Sequence, residues 1–372
     1  GTLDHYRFRH ALIREAAYQA IPLSQRRHWH AQLAATLLAQ AGKADAQPEL
    51  IAQHLSAAGD PDAARYWLLA GRRGMAQSAY LEARHDFEAG LAALAEVSER
   101  TPDTLATELT LHLELGVALL ASEGYGSLKA RGAFDRALTL SEVVPMQGGR
   151  FAALWGLWQG GRANGDPHPP LAIAQLLSDV AKAECDAAAA AQASYALGNN
   201  HFFLGEFAQA GRHLQSAIRQ AQALPPKLLV SRFGEDGRLC ARAMLSWQRA
   251  LSGRLDQAQA LSDLNLSEAR QLGHAHSLGY ALGFAAVLWR LLDEPEPTAA
   301  HSIELLRLTE AHDLALWQAV GWAMQGWADC RQGHRRGLLP LRQAVAASAG
   351  RPVRAGPPGR RPHPPGRPDS RR

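Results

Sequence analysis

The stretch LGNNHFFLGEFAQAGRHLQSA, residues 197–217, decides the fold. Its second half places a small residue, a bulky residue four positions later and a small residue three positions after that, at Ala210, Leu214 and Ala217. Steps of four and three put all three on one helix face, where small side chains let another helix approach closely. The spacing recurs at Ala83–Phe87–Gly90, Ala130–Phe134–Ala137 and Gly337–Leu341–Ala344. A recurring helix–turn–helix unit predicts a solenoid that binds or positions a partner.

The clearest copy resembles the tetratricopeptide signature at Trp67, Gly71, Ala83 and Phe87. The small residues that mark the units lie farther apart than the roughly 34 residues of a standard repeat, so we expect longer helices or loops. The wide gap between Ala130 and Ala210 leaves room for one degenerate unit around residues 155–180. We therefore predict an all-α fold: a right-handed tetratricopeptide-like helical solenoid over residues 46–350, with a short N-terminal helical remnant over residues 1–45.

Composition places the chain among globular proteins. It has 372 residues, of which 47% are hydrophobic, 20% charged and only 7% aromatic. The sequence shows neither an apolar run of roughly 20 residues nor a secretory signal, so we expect no membrane span. Its cysteines, Cys185, Cys240 and Cys330, are odd in number and widely spaced. That pattern argues against a disulfide framework and favours the reducing cytoplasm.

The net charge of +4 comes from the last 22 residues. Residues 351–372 hold seven Arg, seven Pro, three Gly and one Asp, which gives +6 and leaves the rest of the chain at −2. A basic isoelectric point therefore does not predict specific nucleic-acid binding here. We expect this tail to be disordered, and a frameshift in a GC-rich gene would produce such a composition. The alternative is a genuine basic tail that contacts acidic partners or membrane.

One segment carries a family resemblance beyond the repeats. Residues 8–18, FRHALIREAAY, closely resemble the end of the ATPase module in bacterial proteins that fuse a class III adenylate/guanylate cyclase, an AAA-type ATPase and a tetratricopeptide array. Further matching segments are Tyr66-Trp67-Leu68, Leu154-Trp155-Gly156-Leu157-Trp158 and Gly326-Trp327-Ala328. The resemblance implies that residues 1–45 end an upstream ATPase module and that the chain is a piece of a longer protein, an expectation that its initial Gly supports.

The sequence predicts no catalytic, cofactor-binding or metal-ligating residue in this chain. Neither a GxxxxGK[ST] phosphate loop nor a cyclase domain occurs, so no catalytic residue can be carried over from the family. His28 and His30 point about 200° apart on a helix and cannot share one ion with His54. The adjacent carboxylates at residues 235–236 and 293–296 follow Gly or flank Pro, and we interpret both as solvated turns rather than acid–base pairs.

The concave groove is the candidate binding site. In tetratricopeptide arrays the first helix of each repeat lines this face, so the resemblance implies groove positions at Gln192, Tyr195, Asn199, Phe202 and Trp247. Asn199 resembles a residue that clamps peptide termini in some arrays, although the Lys and Arg residues that accompany it in those arrays are not matched here. The alternative is that these residues only cover the concave surface. We expect most Trp residues to pack between repeats.

Three functions from different classes remain open on the sequence. The first is a non-catalytic regulatory and interaction region of a multidomain signalling ATPase or cyclase, which binds a protein, a peptide or the upstream domains of its own chain. The second is the inducer-sensing array of an ATPase-type transcription activator, which a following helix-turn-helix would reveal. The third is a stand-alone enzyme, and no strained GxSxG turn supports it.

Overall fold

The structure is a computed structural model that describes residues 11–40, 47–77, 79–97, 100–162, 168–225, 227–312, 314–333 and 340–344. Within those ranges every regular element is a helix and there is no β-strand. The chain divides into two compact units between Arg238 and Leu239. The expected basic tail, residues 351–372, and the opening FRH of the family segment lie outside the described residues.

Unit 1, residues 1–238, is a succession of helices joined by short turns. They are α1 Ala11–Gln19, α2 Leu23–Ala39, α3 Pro48–Ala58, α4 Ala63–Ala76, α5 Tyr80–Ala95, α6 Pro102–Glu123, α7 Leu128–Ser141, α8 Gly149–Gly161, α9 His168–Ala183, α10 Ala187–Phe203, α11 Phe207–Gln222 and α12 Leu228–Phe233. From α2 to α11 each helix packs on its neighbour in sequence, and α6 also packs on both α4 and α8. Contact between every second helix is typical of stacked helical hairpins.

Unit 2 begins within α13 and shows the same arrangement. Its helices are α13 Gly237–Leu251, α14 Leu255–Leu272, α15 Ala275–Leu291, α16 Pro295–His312 and α17 Ala315–Arg331, followed by a helical segment over residues 340–344. Here α15 packs on both α16 and α17. The predicted all-α helical-repeat fold is confirmed. Gly337 of the last predicted copy lies outside the described residues, whereas Ala344 of the same copy is buried.

The repeat signature works through glycines that receive a bulky side chain. The bulky residue of each second helix lies against the glycine of its first helix, in the pairs Gly71 with Phe87, Gly116 with Phe134 and Gly198 with Leu214. A Cβ atom added to these glycines would lie 2.3, 2.6 and 2.6 Å from that side chain, closer than real contacts allow. The Phe134 ring also fills the space at Gly156 of α8, at 2.3 Å. The spacing in the sequence therefore identified the helix contacts correctly.

The helix ends follow the sequence with one exception. Pro48 opens α3, a position that suits proline, and Gly59 ends that helix in the left-handed conformation at φ 77°. Ser127 caps α7 by accepting a hydrogen bond from the backbone N–H of Ala130 at 3.1 Å. The exception is α2, where Pro22 occupies the N-cap position and Ser24, a residue type that often caps helices, lies inside the first turn.

Helix α6 corrects the expectation that no apolar run is long enough for a membrane span. Its 22 residues include an 18-residue window of mean hydropathy 1.3, and in the described residues it is the single helix with that length and composition. It also carries Glu108, which is buried and accepts hydrogen bonds from Arg100 at 2.5 Å and Arg136 at 2.8 Å. Leu111 and Leu119 of α6 are fully buried in the repeat core. A long helix buried in a repeat core passes the same test of length and composition.

Candidate functional site

Four of the five predicted groove residues share one face of α10. Gln192, Tyr195, Asn199 and Phe202 are spaced by three, four and three residues, which places them on one stripe of the helix. Asp186 fixes the start of α10 by accepting hydrogen bonds from the backbone N–H groups of Ala188 and Ala189. The stripe is enclosed rather than open, because Gln192 and Tyr195 are 0% exposed and Asn199 is 2% exposed.

Aromatic side chains from α8 form one wall of this enclosure. Trp158 is fully buried and donates its Nε1–H to Asn200 Oδ1 at 2.7 Å. The edge of Tyr195 meets the Trp158 ring at a centroid distance of 5.6 Å, and Trp155 stacks on Trp158 at 4.8 Å. Trp155 in turn donates its Nε1–H to the backbone carbonyl of Phe233 at 3.3 Å. The two Trp residues therefore tie α8 to both α10 and α12, in agreement with the predicted packing role.

Arg162, directly after α8, brings a positive charge to the enclosure. Its Nη1 donates a hydrogen bond to the Tyr195 hydroxyl at 3.2 Å. Its guanidinium also lies over the Trp158 ring, 4.5 Å from the centroid, in a cation–π contact. These contacts hold the guanidinium beside the aromatic wall.

The turn between α12 and α13 corrects a prediction. Residues 235–236 were expected to be solvated, yet Glu235 is 2% exposed and Asp236 is 1% exposed. Asp236 accepts hydrogen bonds from the backbone N–H of Arg238 at 2.9 Å and from its guanidinium at 3.3 Å. Burial raises the pKa of Glu235, and Asp236 adds to that rise while Arg162 opposes it. The carboxyl groups therefore belong to the interior of unit 1.

Gly237 joins this acidic turn to α10. A Cβ atom at Gly237 would lie 2.2 Å from Oε1 of Gln192, so any other residue there would displace the Gln192 amide from its present position. The amide thus lies against the backbone two residues after Glu235. We use the term Gln192 cluster for Trp158, Arg162, Gln192, Tyr195, Asn199 and Glu235.

Several buried polar atoms of the Gln192 cluster lack a partner. Within the described part of the chain, both amide atoms of Gln192, Oδ1 of Asn199 and Oε1 of Glu235 have no hydrogen-bond partner. Leaving one such atom unsatisfied costs about 1–3 kcal/mol, and more for a charged group. Such atoms call for a partner, which an ordered water or a polar ligand would supply.

The fifth predicted groove residue, Trp247, belongs to unit 2. It stacks on Phe284 at a centroid distance of 4.1 Å and donates its Nε1–H to the Phe284 carbonyl at 2.9 Å. Tyr280 also stacks on Phe284, with a centroid distance of 4.2 Å between the two rings. Trp247 thus packs on α15, and it remains a candidate groove residue by prediction alone.

Sequence reasoning missed Arg162 and Glu235. Glu235 was misjudged because a Gly-Glu-Asp-Gly turn is usually solvated, and its burial depends on the packing of α8 and α10 around it. One signal was available, since only three residues separate α12 from α13 and a turn that short stays close to both helices. Arg162 gave no signal, because it follows a pair of glycines at the end of α8.

The histidines singled out in the sequence form a separate contact in unit 1. His30 and His54 approach each other with 2.8 Å between their Nδ1 atoms, and the other ring nitrogen of His30 lies 2.8 Å from the Tyr18 hydroxyl. His28, two residues before His30 on α2, is exposed. No group of three or more metal-ligating side chains occurs among the described residues.

This contact predicts a pH dependence of stability. Burial and the neighbouring His30 lower the pKa of His54 below its usual 6.5, so the folded state binds the proton less tightly than the unfolded state. Stability is then expected to fall as the pH drops below about 6.5. The melting temperature of the unmodified chain should decrease more between pH 7.5 and 5.5 than that of His54→Gln. Equal decreases in the two proteins would contradict this assignment.

Comparison with known proteins supports the fold. No family model matches the chain. An uncharacterised protein of Rhizobium meliloti (strain 1021) is 27% identical over 344 residues, which cover 90% of this chain and 32% of that protein. The chain therefore spans about a third of the length of this curated relative.

Three solved structures share the fold at low sequence identity. A Rap protein in complex with competence and sporulation factor superposes with a TM-score of 0.60, at 11% identity, over 90% of this chain and 95% of that one. The apo form of the quorum sensor NprR from B. thuringiensis superposes with a TM-score of 0.59 at 10% identity, and the match covers 91% of each chain. NprR in complex with its cognate peptide NprX superposes with a TM-score of 0.54 at 11% identity, over 91% of this chain and 92% of that one. At these identities the likeness establishes the helical-repeat fold alone.

Proposed function

We propose that this chain is a non-catalytic regulatory repeat region that binds a peptide or an extended protein segment at the Gln192 cluster. The observation that carries the proposal is the Gln192 side chain, which is fully buried with both its donor and its acceptor unpartnered. A primary amide can pair with both the N–H and the C=O of a peptide group. Asn199 extends the same polar stripe by two helical turns, a spacing that suits an extended backbone.

The surroundings favour recognition over chemistry. The six residues of the Gln192 cluster include no Ser, Cys or Lys nucleophile and no His base. The aromatic wall of Trp158 and Tyr195 provides apolar surface around a few directional polar groups, the composition typical of ligand sites. The Rap and NprR structures supply precedent for peptide complexes in this fold, since two of them contain a bound peptide factor.

We place the chain within a longer cytoplasmic bacterial protein, as the family resemblance implies. The threefold greater length of the Rhizobium relative supports this context. Partner binding would then regulate an upstream ATPase or cyclase module. An inducer-sensing array of a transcription activator is the alternative, and NprR, a quorum sensor, favours it. Sequencing the reading frames on both sides of the chain distinguishes the two, because only the activator continues into a helix-turn-helix.

Capture of peptides from a synthetic library tests the binding function. We expect the full chain to retain a defined subset of pentapeptides and the variant Gln192→Leu to bind that subset at least about tenfold more weakly, which corresponds to about 1.4 kcal/mol. The matched control is Gln222→Leu, which makes the same change at an exposed position at the end of α11. Retention of no peptide, or equal affinities for Gln192→Leu and the unmodified chain, would rule out this site.

A further inference from the structure

Most of the unpartnered atoms of the Gln192 cluster are hydrogen-bond acceptors. Three are acceptors, namely Oε1 of Gln192, Oδ1 of Asn199 and Oε1 of Glu235, and one is a donor, Nε2 of Gln192. A ligand that satisfies them must therefore bring more hydrogen-bond donors than acceptors. A primary ammonium group carries three donors and no acceptor.

The charges in the cluster point the same way. Asp236 is engaged by the backbone and guanidinium of Arg238. Arg162 donates to the Tyr195 hydroxyl and lies over the Trp158 ring, and it is also near enough to Glu235 to oppose the rise in the pKa of that carboxyl. Glu235 is buried in the same region, and its Oε1 meets no donor in the described residues. A buried carboxylate is expensive unless a cation or several donors compensate it.

The shape of the enclosure favours a compact cation. Gln192 Oε1 lies so close to Gly237, two residues after Glu235, that a single added methyl group would clash with it. A planar guanidinium with five donors is larger than an ammonium. The Trp158 ring already attracts one cation, the Arg162 guanidinium, through its π-electrons, so this aromatic wall is compatible with positive charge.

We propose that the Gln192 cluster recognises a primary ammonium group of its peptide ligand, with Glu235 as the counter-ion and Gln192 as the positioning acceptor. The ammonium comes either from the peptide N terminus or from a lysine side chain. This inference rests on the proposed peptide-binding function and names the chemistry of the same site. An ammonium bound there would also lower the raised pKa of Glu235, so binding near the folded pKa should release a proton. The charged groups that lie nearby are Arg162, Asp236 and Arg238.

Three matched pentapeptide libraries test the inference on the full chain. The first has a free N terminus and norleucine in place of lysine; the second is N-acetylated and contains lysine; the third is N-acetylated with norleucine and has no ammonium. We expect the first or the second to be retained at least about tenfold more than the third, and the stronger of the two identifies the source of the ammonium.

The remaining outcomes distinguish a failure of the ammonium inference from a failure of the peptide-binding function. Equal retention of all three libraries would overturn the ammonium inference while leaving the peptide-binding function intact. Retention of none would overturn both. The variant Glu235→Gln should abolish the preference for the ammonium-bearing library, whereas Glu142→Gln, the same change on an exposed residue after α7, should keep it. If the Glu235→Gln variant folds and keeps the preference for the ammonium-bearing library, the counter-ion role of Glu235 is contradicted. If the variant does not fold, the contrast between the libraries on the unmodified chain decides whether an ammonium group is recognised.

Discussion

Gly198→Trp is expected to cost about 3 kcal/mol or more of unfolding free energy, and even Gly198→Ala is expected to cost about 1–3 kcal/mol. The reason is the contact between α10 and α11. A Cβ atom at Gly198 would lie 2.6 Å from Cγ of Leu214 and 3.0 Å from its backbone nitrogen. The side chain could move, but the backbone nitrogen can yield only if the two helices separate. Chemical denaturation of both variants measures the loss.

A second glycine provides the matched control for Gly198. Gly132 lies inside α7, and a Cβ atom added there meets nothing within 4 Å. Gly132→Ala is therefore expected to stabilise the chain by up to about 1 kcal/mol through helix propensity. Combining Gly198→Ala with Leu214→Ala should cost less than the sum of the single losses, since the clash with the Leu214 side chain disappears and only the close approach to its backbone nitrogen remains. Equal effects of alanine at Gly198 and Gly132 would show that the helix register is wrong.

Glu235→Gln is expected to stabilise the chain by about 1–3 kcal/mol at pH 8, because a neutral amide avoids the cost of burying a carboxylate whose Oε1 is unpaired. Burial raises the pKa of Glu235 in the folded state. The protonated form therefore contributes stability that is complete below the unfolded pKa of about 4.3 and is lost as the pH rises through the folded value. The advantage of the glutamine should consequently shrink between pH 8 and pH 4.

Thermal unfolding of both proteins at several pH values checks this prediction, with Glu142→Gln as the exposed control. A variant that is less stable than the unmodified chain at pH 8, or a difference that does not change with pH, would mean that Glu235 is compensated within the fold. A loss of stability in Glu235→Gln would indicate that the Glu235 carboxylate forms a structural ion pair, as Glu108 does with Arg136.

The fold could be predicted from local rules, whereas the Gln192 cluster could be predicted only in part. Helix positions follow from the spacing of small and bulky residues, and the approach of Leu214 to Gly198 follows from that spacing as well. The face of α10 that carries Gln192, Tyr195 and Asn199 follows from helix periodicity and the family register. That this face is enclosed does not follow, because enclosure depends on the elements that cover it.

Glu235 shows why the rest could not be derived. Its neighbours in sequence, Gly234 and Asp236, are typical of a solvated turn. The residues that enclose it lie tens of positions away, on α8 and α10, and their arrangement is set by packing across three helices. The adjacent carboxylates at Asp293 and Glu294, in a similar local sequence, are exposed as predicted. Local composition therefore cannot separate the two turns.

A crystal structure of the full chain with a pentapeptide selected from the library tests the central claim most directly. The account predicts that the peptide lies along α10, with its ammonium nitrogen within about 3.2 Å of Oε1 of Gln192 and Oε1 of Glu235. A peptide bound elsewhere on the repeats, with the Gln192 cluster satisfied by water alone, would contradict it.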